Sequence, residues 1–226
     1  MKIRRLLIIP ARLGSKRIIK KNIKNFCGKP MIYWPLITAK KSKLFSKIHV
    51  STDSLKIKKI VEKQKINVDF LRPKKLSGDF VGLMEVYKFV IEKYKKLNIF
   101  FDEVWFLTPC SPLINYKDLR FSAKFFQKID GNAFLAVSKF SPPIQWAMKL
   151  DKKKLIFVNK KYSLIRSQDL KEHYYDTGTF GAFKNKVFDK KINNLKFYGY
   201  EISKTKGIDI DNLDDWNLAE KIAKNI

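Results

Sequence analysis

Cysteine and histidine are scarce in this chain of 226 residues, each occurring only twice, as Cys27 and Cys110 and as His49 and His173. Two cysteines without ligand or redox spacing exclude a disulfide framework, a zinc site and a redox pair. Both are expected as reduced thiols, with Cys110 packed. The histidines are too far apart in sequence to suggest a metal pair, and both are expected to be structural. No apolar run reaches the roughly 18 to 20 residues that a bilayer requires, and Leu6 to Pro10 is too short for a signal peptide. The expectation is a soluble, cytoplasmic protein with no membrane partner. Acidic residues are also few, 21 Asp and Glu against 48 Lys and Arg, giving a formal net charge of +27. Such an excess raises the question of a nucleic-acid partner. The lysines are spread from Lys2 to Lys224, however, with no basic tail and no motif interleaved with aromatics, which speaks against nucleic acid. Their summed field still attracts small anions from a distance.

What is present fits one α/β domain over residues 1–226. The chain is 45% hydrophobic, enough for one substantial core. Arg4 to Pro10 reads as a buried strand feeding a basic loop from Ala11 to Asn22. Pro30 can start a helix running to about Lys43. Lys47 to Ser51 reads as a strand, Leu55 to Gln64 as a helix, Val68 to Leu71 as a strand, Val81 to Lys96 as a helix, and Glu103 to Leu107 as a strand. This alternation predicts a mainly parallel, doubly wound sheet with helices on both faces. Helix Tyr116 to Gln127 and strand Ala133 to Ser138 follow. Shorter β-like pieces, Gln145 to Leu150 and Leu155 to Val158, then mark an excursion from about Ser141 to Asp176. Lys196 to Ile202 and Gly207 to Ile210 return to strand character, and Leu213 to Ile226 closes as an amphipathic helix.

Three constellations can carry chemistry. The first loop, Pro10-Ala11-Arg12-Leu13-Gly14-Ser15-Lys16-Arg17 with Lys20, Lys21 and Asn22, joins a glycine and several cations at the carboxyl end of a strand. Phosphate oxygens match backbone amides plus Lys or Arg there. It lacks the second glycine and Lys-Ser/Thr of a Walker loop, and by itself it reads equally as a solvated basic turn. The second is Ile208-Asp209-Ile210-Asp211. On a strand its two carboxylates share one face while the isoleucines pack inward. Paired hard oxygens suit Mg²⁺ completed by substrate phosphates, although an edge strand with a polar face has the same pattern. The third is Arg166-Ser167-Gln168-Asp169-Leu170, followed by Asp176-Thr177-Gly178. Its Arg, Gln and Asp could bond a carboxylate and hydroxyls, or belong to an ordinary polar loop. Asp214 and Asp215 read as first-turn acids of the last helix.

Together these residues resemble the acylneuraminate cytidylyltransferase family, over nearly the whole chain. The resemblance rests on Ile9-Pro10-Ala11-Arg12, Gly14-Ser15-Lys16, Lys21-Asn22, Gly28-Lys29-Pro30, Val50-Ser51-Thr52-Asp53, Leu71-Arg72-Pro73, Ser111-Pro112-Leu113, Arg166-Ser167-Gln168-Asp169-Leu170 and Asp209-Ile210-Asp211. Within the family the chain is most similar to the pseudaminic acid enzymes, through Ser15 to Ile18, Lys21 to Lys24, Ser141 to Gln145 and Tyr175 to Gly178. Leu13, Ile19 and Thr108 depart from residues that the family commonly has, glycine, proline and a sugar-contacting glutamine respectively. The resemblance implies a Rossmann-like nucleotidyltransferase fold and a homodimer that uses the β-rich excursion. It implies CMP transfer from CTP to the anomeric hydroxyl of a nine-carbon 2-keto acid, with legionaminic, N-acetylneuraminic or 3-deoxy-octulosonic acid as alternatives to pseudaminic acid. It further implies catalytic roles for Arg12, Lys21 and Asp211 and Mg²⁺ on Asp209 and Asp211. Nucleotide contacts would come from Ala11, Arg12, Gly14, Ser15, Lys16, Lys21, Asn22, Arg72 and Asp79, and sugar contacts from Arg166, Gln168, Asp169 and Asp176.

Overall fold

In the computed structural model, which describes residues 3–189 and 195–225, the first apolar run forms strand β1 (Arg5–Pro10). A small hairpin, β2 (Asn25–Phe26) and β3 (Lys29–Pro30), precedes helix α1 (Tyr33–Ser42), strand β4 (Lys47–Ser51) and helix α2 (Leu55–Glu62). Helix α3 (Leu83–Lys96), strand β5 (Glu103–Leu107), helix α4 (Tyr116–Lys128) and strand β6 (Ala133–Lys139) continue the alternation. The hairpin β7 (Met148–Asp151) and β8 (Lys154–Phe157) stands apart, and β9 (Tyr174–Lys184), β10 (Phe197–Glu201) and helix α5 (Leu213–Ala223) complete the chain. One six-stranded sheet has the order β10-β6-β9-β5-β1-β4, with β9 antiparallel to both neighbours and every other pairing parallel.

The period of two along each strand sends successive side chains to opposite faces. Leu7 and Ile9 of β1 join Trp105 and Leu107 of β5 in a core sealed by Leu36 of α1, Val61 of α2 and Leu119 and Phe126 of α4. Leu6 and Ile8 join Val104 and Phe106 against Tyr87, Val90 and Tyr94 of α3 on the other face. Strands buried on both faces explain why β1 and β5 read as unbroken apolar runs. The helices start where capping chemistry permits. Ser54 caps α2, and capping boxes pair Asn115 with Asp118 on α4 and Asn212 with Asp215 on α5.

The structure corrects four expectations. Residues Val68 to Leu71 pair with no strand and bend at Phe70: Val68 packs into the first core and Phe70 against the second, so the two apolar residues serve opposite faces and not one face of a strand. Gly207 closes a turn, and Ile208 to Ile210 pairs with no strand. Pro30 ends the β2–β3 hairpin rather than starting a helix; α1 begins at Tyr33, and its proline is Pro35 in the first turn, where no intrahelical N–H is needed. The excursion rejoins the sheet at Tyr174, because β9 runs through the middle of the sheet. The expected end of the last helix at Ile226 lies outside the described residues.

Candidate functional site

After β1 the chain moves outward to β4 and later returns on the other side of β1 as β5. Such a reversal leaves a crevice beyond the carboxyl ends of the two strands. A cleft of about 570 Å³ lies there, bringing together Arg12, Lys16, Arg17 and Lys21 of the first loop, Asp79 and Phe80, Thr108 and Cys110 after β5, and Asp209 and Asp211. A third apolar cluster adjoins it through Ile18 and Cys110. Ile18 of the loop, Phe26 of the hairpin, Cys110, Ile210 and Trp216 of α5 are buried together, with Phe26 and Trp216 ring centroids 5.3 Å apart. Ile210 is fully buried, worth about 1.5–3 kcal/mol, and this holds the carboxylates on either side of it. The alternation read in Ile208 to Asp211 therefore survives without the strand, since Ile208 packs against the same cluster.

Four cations are matched by two carboxylates. Arg12 Nη1 lies 2.5 Å from Asp79 Oδ1 and Lys16 Nζ 2.6 Å from Asp79 Oδ2. Arg17 Nη1 lies 2.9 Å from Asp211 Oδ2, and Lys21 Nζ 3.3 Å from Asp211 Oδ1 while donating to the Ile210 carbonyl at 2.6 Å. Lys16 and then Arg12 hold the Asp79 carboxyl below the usual carboxylate range. Asp209 behaves oppositely: burial, reinforced by the charge of Asp211, raises its carboxyl. Two carboxylates close enough to repel each other are a donor set that could take a hard divalent cation. Among the described residues no group of three His, Cys, Asp or Glu could hold a metal. Two carboxylates suffice for Mg²⁺ when substrate phosphates complete its shell, so the residues fit that ion.

Other expected nucleotide residues are placed unevenly. Asn22 is buried, its Nδ2 donating to the Arg12 carbonyl at 2.8 Å and its Oδ1 accepting from Cys110 Sγ at 3.3 Å, so it fastens the loop. Ser15 lines the cleft, whereas Ala11 is buried, with its N–H donating to the Ser51 carbonyl, and Gly14 sits on the exposed turn. Arg72 is buried with Nε and Nη2 unpartnered, facing a hollow of about 150 Å³ that shares Arg12 and Asp79 with the cleft. Burial lowers its guanidinium pKa, against the opposing charge of Asp53. Burial also pushes the Cys110 thiol up to about 12, which removes it as a nucleophile.

The expected sugar residues do not converge on the cleft. Arg166 pairs with Asp169 at 2.8 Å on the exposed excursion, and Gln168 borders a separate hollow beside Lys139 and His173. The reason is topological: the excursion leaves the sheet after β6 and hangs beyond it, with Lys139 paired to Glu172 at its base. Asp176 alone lies close to the chemistry, in a lobe of about 440 Å³ that shares Asp209 and Gly178 with the cleft. Gly178 has φ of +63°, a left-handed conformation inside β9, beside a register shift between Leu135 and Val137 of β6. That bulge forms the joint between cleft and lobe. Sequence reasoning missed Arg17 as the second partner of Asp211. Its position next to Lys16 in the same loop was the available signal.

The fold is that of a doubly wound α/β protein, with a cation-lined candidate site at the sheet switch point. The chain belongs to the cytidylyltransferase family, whose model matches residues 6–204. It is 31% identical over 222 residues to a pseudaminic acid cytidylyltransferase of Campylobacter jejuni, covering 97% of this chain and 96% of that protein. It is 28% identical to the CMP-N,N'-diacetyllegionaminic acid synthase of Legionella pneumophila, covering 96% and 95%. Among solved structures, a CMP:2-keto-3-deoxy-manno-octonic acid synthetase complexed with CTP superposes with a TM-score of 0.73 at 14% identity, covering 99% of this chain and 100% of that one. The 4-diphosphocytidyl-2C-methyl-D-erythritol synthase of Anaerococcus prevotii gives 0.62 at 16% identity, covering the same shares, and the two show the fold. The protein is thus a nucleotidyltransferase, and a role as a basic nucleic-acid binder is not favoured.

Proposed function

We propose that this protein transfers CMP from CTP to the anomeric hydroxyl of pseudaminic acid, a nine-carbon 2-keto acid, and releases pyrophosphate. The observation that carries the reading is the meeting of Arg12, Lys16, Arg17 and Lys21 with Asp209 and Asp211 in one cleft of a cytidylyltransferase-family chain. The pseudaminic acid enzyme of C. jejuni, 31% identical over 97% of this chain, supports the choice of sugar.

In this reaction the anomeric hydroxyl oxygen bonds to the α-phosphorus of CTP and gives up its proton to solvent, while the bond from that phosphorus to the bridging β-phosphate oxygen breaks and its electron pair leaves with pyrophosphate. Arg12, Lys16 and Lys21 bind the triphosphate oxygens, displacing Asp79 from its two cations. Asp209 and Asp211 would hold Mg²⁺, which supplies neutralisation of the charge that builds on the phosphate oxygens. Asp211 also orients the attacking hydroxyl, while Arg72 and the adjoining hollow are suited to the cytidine end. No covalent protein intermediate is needed, since positioning and electrostatics carry such transfers.

We assign the enzyme to the cytoplasm, where CTP is made; among the described residues no helix is long and apolar enough to cross a membrane. A homodimer through the excursion is supported by apolar exposure there: Leu150 is 72% exposed, Leu155 63% and Leu164 95%. Replacing Leu150 and Leu155 by lysine should convert a dimer to a monomer in light scattering; an unchanged mass would reject that interface. The function itself is tested by pyrophosphate release with CTP, Mg²⁺ and a panel of pseudaminic, legionaminic, N-acetylneuraminic and 3-deoxy-octulosonic acids. Turnover with pseudaminic acid is expected, and turnover only with another member would move the substrate assignment to that sugar.

A further inference from the structure

The segment that leads into α3 walls two spaces at once. Gly78, Asp79 and Val81 line the hollow beside Arg72, while Asp79 and Phe80 line the main cleft. Phe80 stands apart from its neighbours: its ring is wholly exposed, whereas Leu76 and Val81 are partly buried. A phenylalanine ring that becomes covered removes roughly 150–250 Å² from water, so its place at the rim of a ligand cleft is costly unless something covers it in use. Asp79 ties the segment outward through its ion pairs with Arg12 at 2.5 Å and Lys16 at 2.6 Å. Within the segment the Val81 N–H donates to the Gly78 carbonyl at 3.4 Å. A Cβ added at Gly78 or Gly82 would meet nothing closer than 3.8 Å, and neither residue has a positive φ. The packing of this conformation therefore demands no glycine at either end, and the two leave the segment free to turn about its ends.

We infer that Phe80 folds inward over the pyrimidine ring of CTP and clasps the nucleoside; the inference rests on the CMP-transfer reading above for the identity of the nucleotide. Three observations lead there. The hollow beside Arg72 offers buried, unpartnered Nε and Nη2 to the edge of a base, and Val81, Leu83 and Val86 give it an apolar wall. Among the described residues lining the hollow or the cleft, Phe80 is the one aromatic side chain, so it is the ring that can cover a base face those walls leave open. Asp79 is its neighbour in sequence, and the same Arg12 and Lys16 that hold Asp79 outward are the groups a triphosphate takes. Phosphate binding thus removes the tie on the segment, and the base supplies the surface on which the freed ring settles. The phosphates release the clasp and the nucleoside closes it.

The experiment titrates CTP and inorganic triphosphate, each with Mg²⁺, into the unaltered protein, Phe80→Ala and Phe80→Tyr in a calorimeter, beside pyrophosphate release with the sugar panel. Because the ring is wholly exposed, Phe80→Ala should keep the melting temperature. It should weaken CTP by roughly 10- to 100-fold and leave inorganic triphosphate within about 2-fold, since only the base is stacked. Phe80→Tyr, which keeps the ring, should restore CTP affinity. Unaltered CTP affinity in Phe80→Ala, an equal loss for inorganic triphosphate, or a loss in Phe80→Tyr as large as that in Phe80→Ala would overturn the clasp while leaving CMP transfer intact. CTP binding that depends on the Phe80 ring, without pyrophosphate release on any sugar of the panel, would sustain the clasp and reject the transfer reading. No CTP binding by the unaltered protein would reject both.

Discussion

Asp211→Asn separates the chemistry of the cleft from its architecture. The carboxylate pairs with Arg17 at 2.9 Å and Lys21 at 3.3 Å, but the Arg17 side chain is 70% exposed, so solvent screens that pair heavily. Exposed ion pairs contribute about 0–1 kcal/mol, and Lys21 keeps its bond to the Ile210 carbonyl. The segment also stays anchored through the backbone N–H of Asp211 on Asp215 Oδ2 at 3.0 Å. The variant should therefore lose less than about 1 kcal/mol of stability in urea titration. Catalysis should respond on another scale. Removing one electrostatic stabiliser of a transition state typically costs about 100- to 1,000-fold in kcat, or about 2.7–4 kcal/mol. Because Arg17 and Lys21 lose their counter-charge, the KM for CTP should stay level or fall. The assay is pyrophosphate release across a Mg²⁺ titration, with the midpoint expected to shift to higher metal. A folded Asp211→Asn protein with kcat within about 10-fold of the original at all Mg²⁺ concentrations would refute the assignment of Asp211 to the metal and the reacting hydroxyl.

Three other perturbations test separate parts of the structure. Burial lowers the His49 imidazole from 6.5 to about 4, with Asp69 opposing and Lys47 assisting. Between those values the unfolded chain binds the extra proton, so stability should fall as pH drops from about 6.5 to about 4, by on the order of 3 kcal/mol. His49→Phe, which keeps a ring 4.4 Å from that of Phe70, should flatten this slope in denaturant titrations at several pH values. Gly207→Ala should cost about 1–3 kcal/mol in stability through overpacking and lower kcat/KM as well, because Asp209 and Asp211 follow directly. A normal melting temperature would contradict the tight approach to Thr177. Arg72→Met should raise the CTP KM by roughly 10-fold or more, since Nε and Nη2 are buried without protein partners and suit a ligand acceptor; an unchanged KM would move the cytidine end elsewhere.

The core was legible because fully buried strands write themselves as apolar runs, as Leu6 to Ile9 and Val104 to Leu107 do. Strand β9 escaped because Asp176, Gly178 and Thr179 break its apolar pattern around the bulge, and its central place depends on pairing with strands distant in sequence. The segment Gly207 to Ile210 shows the converse. Its alternation was correctly read as two acids outward and two isoleucines inward, yet that pattern records packing on one side and carries no information about hydrogen bonds on the edges. In the site, the basic loop and the aspartate pair were visible as local clusters. The bond from Asn22 to Cys110 and the ion pairs from Asp79 to Arg12 and Lys16 link residues far apart in the chain, so no local motif announces them. Arg166, Gln168 and Asp169 were assigned to the sugar from their chemistry and the family resemblance; within one chain Gln168 borders a hollow apart from the cleft, a placement that no local pattern announces.

The pairing of four cations with Asp79 and Asp211 also bears on how so basic a protein handles a polyanion. With +27 formal charge overall, long-range attraction for CTP is ample, and the difficulty lies in releasing pyrophosphate. Asp79 addresses this by competing for the same cations. It holds Arg12 and Lys16 here, and on the proposed reaction it would yield them to the triphosphate and reclaim them as pyrophosphate departs. A carboxylate about a third exposed, at 36%, keeps contact with solvent throughout, so exchange in both directions would stay accessible. Asp211 is about as exposed, at 31%, but it follows the fully buried Ile210, its N–H is held by Asp215 and one of its cations is the largely buried Lys21, which suits a group that must keep its position through the transfer. On the proposed reaction the two aspartates would differ in role because they differ in anchoring, not in exposure: Asp79, paired with Arg12 and the exposed Lys16, would exchange with phosphates, and Asp211, held beside buried Ile210, would serve the chemistry.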